Sequence, residues 1–362
     1  MLSIVSNGGT VEKPDVGKIY PKLKKYPNVV GVAYGEVFKD GKPTGELGIV
    51  VYVTKKLPPE KLLPNQILPR QIGGVRVDVQ EVGLFKALPA ERKRRRSRKR
   101  NTENPRTWRW RPAPAGVSIG HYRITAGTLG YLVYDAETME PLILSNNHVL
   151  ANENRAEKGD PILQPGPYDG GRVDRDTIGY LERFVPIRFP WESECPLSKA
   201  VVGLLNFISE ALGRKTRFQA IVQVANTVDA AVAKPVSEDA VTRKILEGPD
   251  EIVDHAEEYE VGTRVCKSGR TTGVTCGVVS AVNAYVNVGY SGGTALFRDQ
   301  LIIRPENLGE TICLGGDSGS LVYTREAPVA YGLLFAGSGN GTLIVANKIS
   351  NVVRELNITF AP

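Results

Sequence analysis

The chain has 362 residues, of which 41% are apolar and 23% are charged, and its formal net charge is +7. This composition is typical of a globular protein, and four cysteines in so long a chain exclude a disulfide-rich scaffold. No apolar run reaches the length of a membrane span, and the N-terminus lacks the basic start and apolar core of a signal peptide. We therefore expect a cytoplasmic protein without a membrane partner.

The first 88 residues predict a small α+β N-terminal domain. A short amphipathic helix is expected over 16–26. The expected strands cover 28–38, 47–53, 75–79 and 81–85, the last two forming a pair. Because this region contains no histidine and no cysteine, we expect a docking or regulatory module without a catalytic or metal site.

The positive charge is concentrated in one run. Residues 91–100 contain eight basic residues and one acidic residue, so the other 352 residues carry no net formal charge. Such a run is typical of a solvated linker, and we predict a basic, Pro- and Arg-rich linker over 89–115. A tether to an acidic polymer and a site of proteolytic nicking stay open as alternatives. Nucleic-acid binding is the less favoured interpretation, because the basic residues do not cover the face of a domain.

From residue 116 onward, short β-type runs recur, and glycine or proline separates most of them. This pattern predicts an all-β domain over 116–362. Residues 197–212 depart from the pattern, because their apolar positions have helical spacing. We interpret them as a helical insertion near 195–213, with Cys195 as an unpaired, buried thiol.

Three stretches of this second domain contain candidate catalytic residues. Ser318 lies between an aspartate and a glycine, in a glycine-rich turn that precedes an apolar run. Acyl transfer requires such a turn, since the hydroxyl must be accessible and backbone N–H groups must point at the developing oxyanion. A plain turn between two strands is the alternative. His148 ends the apolar stretch 142–150, and Asp229 begins the apolar strand 230–233.

These two residues also have ordinary explanations. His148 can be a strand-end histidine whose hydrogen bonds are satisfied, and Asp229 can be a turn residue. The other histidines, His121 and His255, do not end a run of this kind. The chain order His148, Asp229, Ser318 is that of the chymotrypsin type, and it differs from the order in subtilisin and in α/β-hydrolases.

With these motifs in this order, the chain resembles the trypsin/chymotrypsin-like serine peptidases, especially the bacterial branch that includes streptogrisins and α-lytic protease. The resemblance covers roughly residues 120–355. It implies a mainly β fold of two six-stranded barrels, preceded here by the small α+β domain. It implies neither a cofactor nor a metal. The whole arrangement is also similar to that of the plant narrow-leaf proteins.

The resemblance implies a role for each candidate residue. His148 acts as general base, Asp229 orients it, and Ser318 is the nucleophile, with the backbone N–H groups of Gly316 and Ser318 forming the oxyanion hole. The implied function is a serine endopeptidase that acts on peptide or protein substrates through an acyl-enzyme. A catalytically silent peptide-binding protein that keeps the fold is the alternative, and a homo-oligomer stays open.

A fourth motif is specific to the bacterial branch. Residues 264–277 resemble a hairpin in which two cysteines pair, which implies a disulfide between Cys266 and Cys276. In that branch, a basic residue after the first cysteine neutralises the aspartate that precedes the nucleophile. The resemblance therefore implies an ion pair between Lys267 and Asp317.

The candidate substrate-binding residues are Ile312, Gly337 and Ser338. Residues 336–340 resemble the wall of the substrate groove, and Ile312 stands where the floor of the primary specificity pocket is expected. Because no carboxylate stands at 312–314, we predict a small or medium apolar residue on the acyl side of the cut. Phe335 occupies a position at which relatives often have a serine that supports the catalytic aspartate.

The resemblance also bears on maturation. Animal relatives need a cut that creates a new N-terminus, whereas bacterial relatives generally do without it, and Lys267 offers a substitute for that terminus. We therefore expect the domain from about Gly116 onward to be competent without cleavage of the linker. On this interpretation the N-terminal domain is not an inhibitory lock.

Overall fold

The computed structural model describes residues 5–6, 9–10, 13–26, 28–88 and 104–362, and this part of the chain is mainly β. The basic run at 91–100 and the rest of the predicted linker up to residue 103 lie outside the described residues. The α-helices are α1 (Val16–Leu23), α2 (Asn147–Leu150), α3 (Val173–Asp176), α4 (Pro196–Ala211) and α5 (Ile349–Leu356).

The strands fall into three consecutive groups. The N-terminal group is β1 (Val5–Ser6), β2 (Gly9–Thr10), β3 (Val29–Lys39), β4 (Lys42–Val53), β5 (Gln71–Ile72), β6 (Val75–Glu81) and β7 (Phe85–Ala87). The middle group is β8 (Ala113–Ala115), β9 (Ser118–His121), β10 (Gly127–Thr128), β11 (Tyr131–Asp135), β12 (Pro141–Ser145), β13 (Pro161–Leu163), β14 (Thr177–Phe184), β15 (Trp191–Glu192), β16 (Ile221–Val222), β17 (Ala231–Pro235) and β18 (Val241–Ile245). The last group is β19 (Arg264–Gly269), β20 (Gly273–Tyr290), β21 (Gly293–Pro305), β22 (Leu321–Thr324), β23 (Ala330–Ser338), β24 (Ile344–Lys348) and β25 (Ile358–Thr359).

Six of the seven strands of the last group, all except β25, close into a ring. Their order is β19-β22-β23-β24-β21-β20, and β20 pairs again with β19. The residues that point into one side of this ring are fully buried and apolar, among them Val279, Leu301 and Leu334. Alternating inward side chains of this kind fill the interior of a small barrel.

Seven strands of the middle group and β25 form a second sheet, in the order β10-β9-β13-β14-β17-β12-β11-β25. This series has eight strands and its two ends are not joined by strand pairing among the described residues, so the predicted count of six is not found in this half. Its core is continuous with α5 and the chain end, through Val352 and Phe360. The predicted mainly β class is confirmed.

Strands β3 to β7 of the N-terminal group extend the sheet of the last group. β20 is 18 residues long, and its unpaired edge accepts β3, which then pairs with β4. α1 packs on this extension, where the rings of Tyr20 and Tyr285 stack at 4.8 Å. The predicted pairing of 75–79 with 81–85 is wrong, because β6 runs parallel to β4 while β7 pairs with β20 and β23.

Residues 104–115, the end of the predicted linker, are packed structure. Arg106 is buried, and its guanidinium donates to the carbonyl of Gly116 at 3.2 Å and to the carboxylate of Glu247 at 2.6 Å. β8 then pairs in parallel with β18. The guanidinium of Arg106 donates to several acceptors at once. Residues 104–115 are therefore held against the second domain, although the segment is basic and rich in proline.

The predicted helical insertion is present as α4. Most of its side chains are exposed, including Leu204 at 60% and Phe207 at 70%. Cys195 caps its N-terminus and is exposed, so the prediction of a buried thiol is wrong. The reason is that α4 is held mainly through residues 191–222 themselves, without a covering layer. Among the helices of the described ranges, none is both long and apolar enough to cross a lipid bilayer.

Candidate active site

His148 and Asp229 are brought together by two neighbouring strands of the first half. β12 leads into α2, which carries His148, and Asp229 lies two residues before β17, the partner of β12. Asn146 fixes this junction, because its side-chain amide donates to the carbonyl of Asp229 at 2.7 Å. Asn347 accepts the backbone N–H of Asp229 at 3.1 Å.

The imidazole of His148 and the carboxylate of Asp229 form a buried pair. Nδ1 of His148 lies 2.6 Å from Oδ2 of Asp229, and the backbone N–H of His148 donates to Oδ1 at 3.2 Å. Since a carboxylate can only accept, Nδ1 carries the proton and Nε2 has the lone pair. Nε2 is buried and has no hydrogen-bond partner among the residues that the structure describes. This nitrogen is available to accept a proton.

Tyr290 is a third member of this cluster that the sequence did not reveal. Its hydroxyl donates to Oδ2 of Asp229 at 2.8 Å, and its ring packs edge-on against His148. Burial, together with the charge of Asp229, raises the pKa of Tyr290 well above its usual range, so the hydroxyl keeps its proton. Phe335 has no hydroxyl that could support Asp229, and Tyr290 supplies one instead. The absence of a serine at position 335 was the only signal in the sequence that another residue must support Asp229.

The turn that carries Ser318 is built around the side chain of Asp317. Its Oδ1 accepts the backbone N–H of Thr271 at 2.8 Å, and its Oδ2 accepts that of Leu314 at 2.9 Å. Nζ of Lys267 lies 3.7 Å from Oδ2, and both side chains are almost completely buried, so the expected ion pair is present. Burial lowers the pKa of Lys267, and the charge of Asp317 opposes this shift.

Gly316 is required by the geometry of the turn. Its φ is +101°, and a Cβ at this position would lie 2.5 Å from Oγ1 of Thr271. Only glycine adopts such a conformation without strain. The resulting turn directs the N–H of Gly316 towards the groove, where it donates to the carbonyl of Leu88 at 2.7 Å. This N–H is one of the two donors proposed for the oxyanion hole.

The hydroxyl of Ser318 is engaged with groups other than His148. It donates to the carbonyl of Phe335 at 3.1 Å and accepts the backbone N–H of Leu88 at 3.2 Å. The carbonyl of Ser318 accepts the N–H of Thr128 at 2.7 Å, which ties the turn to the first half. The turn that carries Ser318 is thus tied to the first half of the structure, while its hydroxyl hydrogen-bonds to β23 and to Leu88.

The candidate substrate-binding residues differ in what their side chains do. Ile312 is buried beside Cys313, and a Cβ on Gly337 would lie 2.7 Å from Sγ of Cys313 and 3.1 Å from Cδ1 of Leu88. The missing side chain of Gly337 therefore leaves room for an apolar side chain. Ser338 instead closes a turn, donating to Oδ1 of Asn340 at 2.8 Å.

The cysteines of the bacterial-type hairpin lie opposite each other. Cys266 on β19 faces Cys276 on β20, and their sulfurs are 2.03 Å apart, as in a disulfide. Cys313 is free and buried, and burial together with the charge of Asp317 raises its pKa to about 12.

The two remaining histidines have partners of their own. Nε2 of His121 lies 3.0 Å from Oδ2 of Asp160, and Nε2 of His255 lies 3.1 Å from Oε1 of Glu257. Neither hydrogen-bonds to Asp229 or to the serine. Across the described ranges, no group of three or more His, Cys, Asp or Glu side chains is placed to hold a metal ion.

Several solved structures are similar to the chain, whereas no protein-family model and no curated protein matches it. A Nocardiopsis protease is 17% identical, with 69% of this chain and 100% of that chain covered and a TM-score of 0.43. Thermobifida fusca protease A is 18% identical, covering 69% and 99%, with a TM-score of 0.42. A Cellulomonas bogoriensis chymotrypsin is 16% identical, covering 68% and 97%, with a TM-score of 0.41. The first two of these proteins are named as proteases and the third as a chymotrypsin.

Proposed function

We propose that the chain is a serine endopeptidase. One observation carries the proposal: a peptide carbonyl, that of Leu88, sits on the N–H of Gly316 while the N–H of the same residue contacts Oγ of Ser318. The turn thus holds a peptide group beside a hydroxyl, at a donor suited to stabilise an oxyanion. The buried pair of His148 and Asp229 supports the same function, because it leaves Nε2 ready to accept a proton.

The reaction would proceed in two stages. Oγ of Ser318 would turn from the carbonyl of Phe335 to Nε2 of His148, give up its proton there and attack the substrate carbonyl. The N–H groups of Gly316 and Ser318 would hold the oxyanion, and Asp229 would stabilise the imidazolium. His148 would then protonate the leaving amine, and water would hydrolyse the acyl-enzyme by the same route.

A second candidate function is a catalytically silent peptide-binding protein. The observation that favours it is the hydrogen bond from Ser318 to Phe335, which leaves the hydroxyl without a base. A groove that holds a peptide but does not activate its serine would bind without cleaving.

A fluorophosphonate probe separates the two functions. An endopeptidase forms a covalent adduct at Ser318 that mass spectrometry locates, and Ser318→Ala and His148→Ala abolish it. Truncation of a triad member costs about 10⁴-fold or more in turnover. Ser209→Ala is the matched control, since that serine is buried in α4, away from the groove. An adduct that persists in Ser318→Ala would refute the assignment of the nucleophile.

A further inference from the structure

The end of the N-terminal domain lies along the wall of the candidate substrate groove. β7 pairs antiparallel with the end of β23, where Ala87 faces Ala336 and Lys86 faces Gly337. Adding a strand to a sheet edge is a common mode of peptide recognition, because main-chain hydrogen bonds hold the peptide whatever its side chains. The segment 85–88 therefore occupies the place expected for the acyl side of a peptide substrate.

The main chain of Leu88 is placed like that of a residue about to be cleaved. Its carbonyl accepts the N–H of Gly316 at 2.7 Å, and its own N–H reaches Oγ of Ser318 at 3.2 Å. A carbonyl at an oxyanion donor, next to the nucleophile, is the position of the residue on the acyl side of the scissile bond.

The side chain of Leu88 is placed in the predicted specificity pocket. It packs against the apolar cluster that contains Ile312 and Cys313, and its Cδ1 lies beside Gly337. Along β7 the side chains alternate, with Phe85 and Ala87 buried and Lys86 exposed. The segment thus makes both the main-chain and the side-chain contacts that a substrate makes.

We propose that residues 85–88 are an internal pseudosubstrate that fills the groove and excludes peptides until this strand leaves. The proposal rests on the proposed endopeptidase function and deepens it, because the occupant identifies the substrate class. That class is an extended peptide with leucine, or an aliphatic residue of similar size, on the acyl side. The N-terminal domain is then an inhibitory element, which differs from the expectation drawn from the sequence.

The arrangement also explains how the segment stays intact. The proton of Ser318 is donated to the carbonyl of Phe335, so His148 does not take it and attack on Leu88 is not assisted. The following residue is Pro89, so any cut would have to break a Leu–Pro bond.

Leu88→Asp tests the proposal with Leu84→Asp as its matched control. A carboxylate at position 88 would be placed against the apolar pocket, whereas Leu84 is 54% exposed, so a carboxylate there stays in contact with water. Leu88→Asp is expected to raise the rate of fluorophosphonate labelling at Ser318 on the order of tenfold or more over the wild type. Leu84→Asp is expected to label at the wild-type rate.

Hydrogen exchange provides a second readout that needs no catalysis. In Leu88→Asp, the amides of residues 85–88 and of Gly316 are expected to exchange faster than in the wild type and in Leu84→Asp. Unchanged exchange together with unchanged labelling would overturn the pseudosubstrate, while labelling of wild-type Ser318 would leave the endopeptidase function standing. Faster exchange with no labelling in any variant would instead overturn the endopeptidase function and, with it, the inhibitory role.

The substrate class is tested with the released variant. Leu88→Asp is expected to cleave an acetylated Phe-Lys-Ala-Leu p-nitroanilide, which copies residues 85–88, in preference to the same peptide ending in arginine. A preference for arginine would overturn the assignment of the pocket, because no carboxylate of residues 312–314 is there to bind a guanidinium.

Discussion

The hydroxyl of Tyr290 donates to Oδ2 of Asp229 at 2.8 Å, the same oxygen that binds Nδ1 of His148. One carboxylate oxygen thus receives two donors, one from each half of the structure. The burial of Tyr290 keeps its hydroxyl protonated, so that it can donate to this carboxylate. Tyr290 therefore holds Asp229 in the orientation that positions the imidazole.

Tyr290→Phe is expected to lower kcat for peptide cleavage on the order of 10- to 100-fold, the factor given by a lost hydrogen bond to a charged group of ~1.5–3 kcal/mol. The ring remains, so its packing against Phe189 and Phe297 is kept. Steady-state kinetics measure the effect in the Leu88→Asp background. Tyr285→Phe, which lies at the stack with Tyr20, is the control and should leave kcat unchanged. Equal kcat values in both variants would contradict this role for Tyr290.

Lys267→Met is expected to reduce the free energy of unfolding by about 3 kcal/mol, because it leaves the buried carboxylate of Asp317 without its counter-charge. Urea unfolding measures the change. Lys234→Met removes an ion pair with Glu140 whose side chains are about half exposed, and it should cost ~0–1 kcal/mol. Similar losses for the two variants would show that the ion pair at Asp317 does not support the turn.

The stability contributed by Cys313 should fall as the pH rises above about 9. Burial raises its pKa to about 12 in the folded chain, so between those values the unfolded chain releases the proton while the folded chain keeps it. The wild type should therefore lose stability relative to Cys313→Ala, by up to ~1.4 kcal/mol per pH unit. Urea unfolding of both proteins at pH 8 and pH 10 tests this, and a difference that stays constant would contradict it.

Trypsin is expected to cut the chain first within residues 92–100, which contain most of the basic residues of the predicted linker. The two fragments should remain associated, because Val32, Ile49 and Val51 share one apolar core with Val279 and Leu301. Labelling of Ser318 should not change on nicking, since residues 85–88 stay in the sheet. Gel filtration and labelling before and after digestion measure both effects. A large rise in labelling would mean that the uncut chain itself holds the strand in place.

Local patterns in the sequence were sufficient for the class of fold and for the candidate residues. Alternating apolar runs predicted a mainly β chain, and the helical spacing at 197–212 predicted α4. The turn around Ser318 and the hairpin from Cys266 to Cys276 were recognisable because a tight turn and a two-strand ladder depend on neighbouring residues. The order of the three candidate catalytic residues followed from the same local motifs.

The partners of these residues were decided only by the tertiary structure. Tyr290 reaches Asp229 across 61 residues, and Leu88 reaches Ser318 across 230. The sequence also did not predict that β7 pairs with β23 and not with β6. The physical reason is that periodicity specifies which face of a strand is buried but not which strand will be its neighbour. That choice depends on which edges and pockets remain open once the rest of the chain has packed.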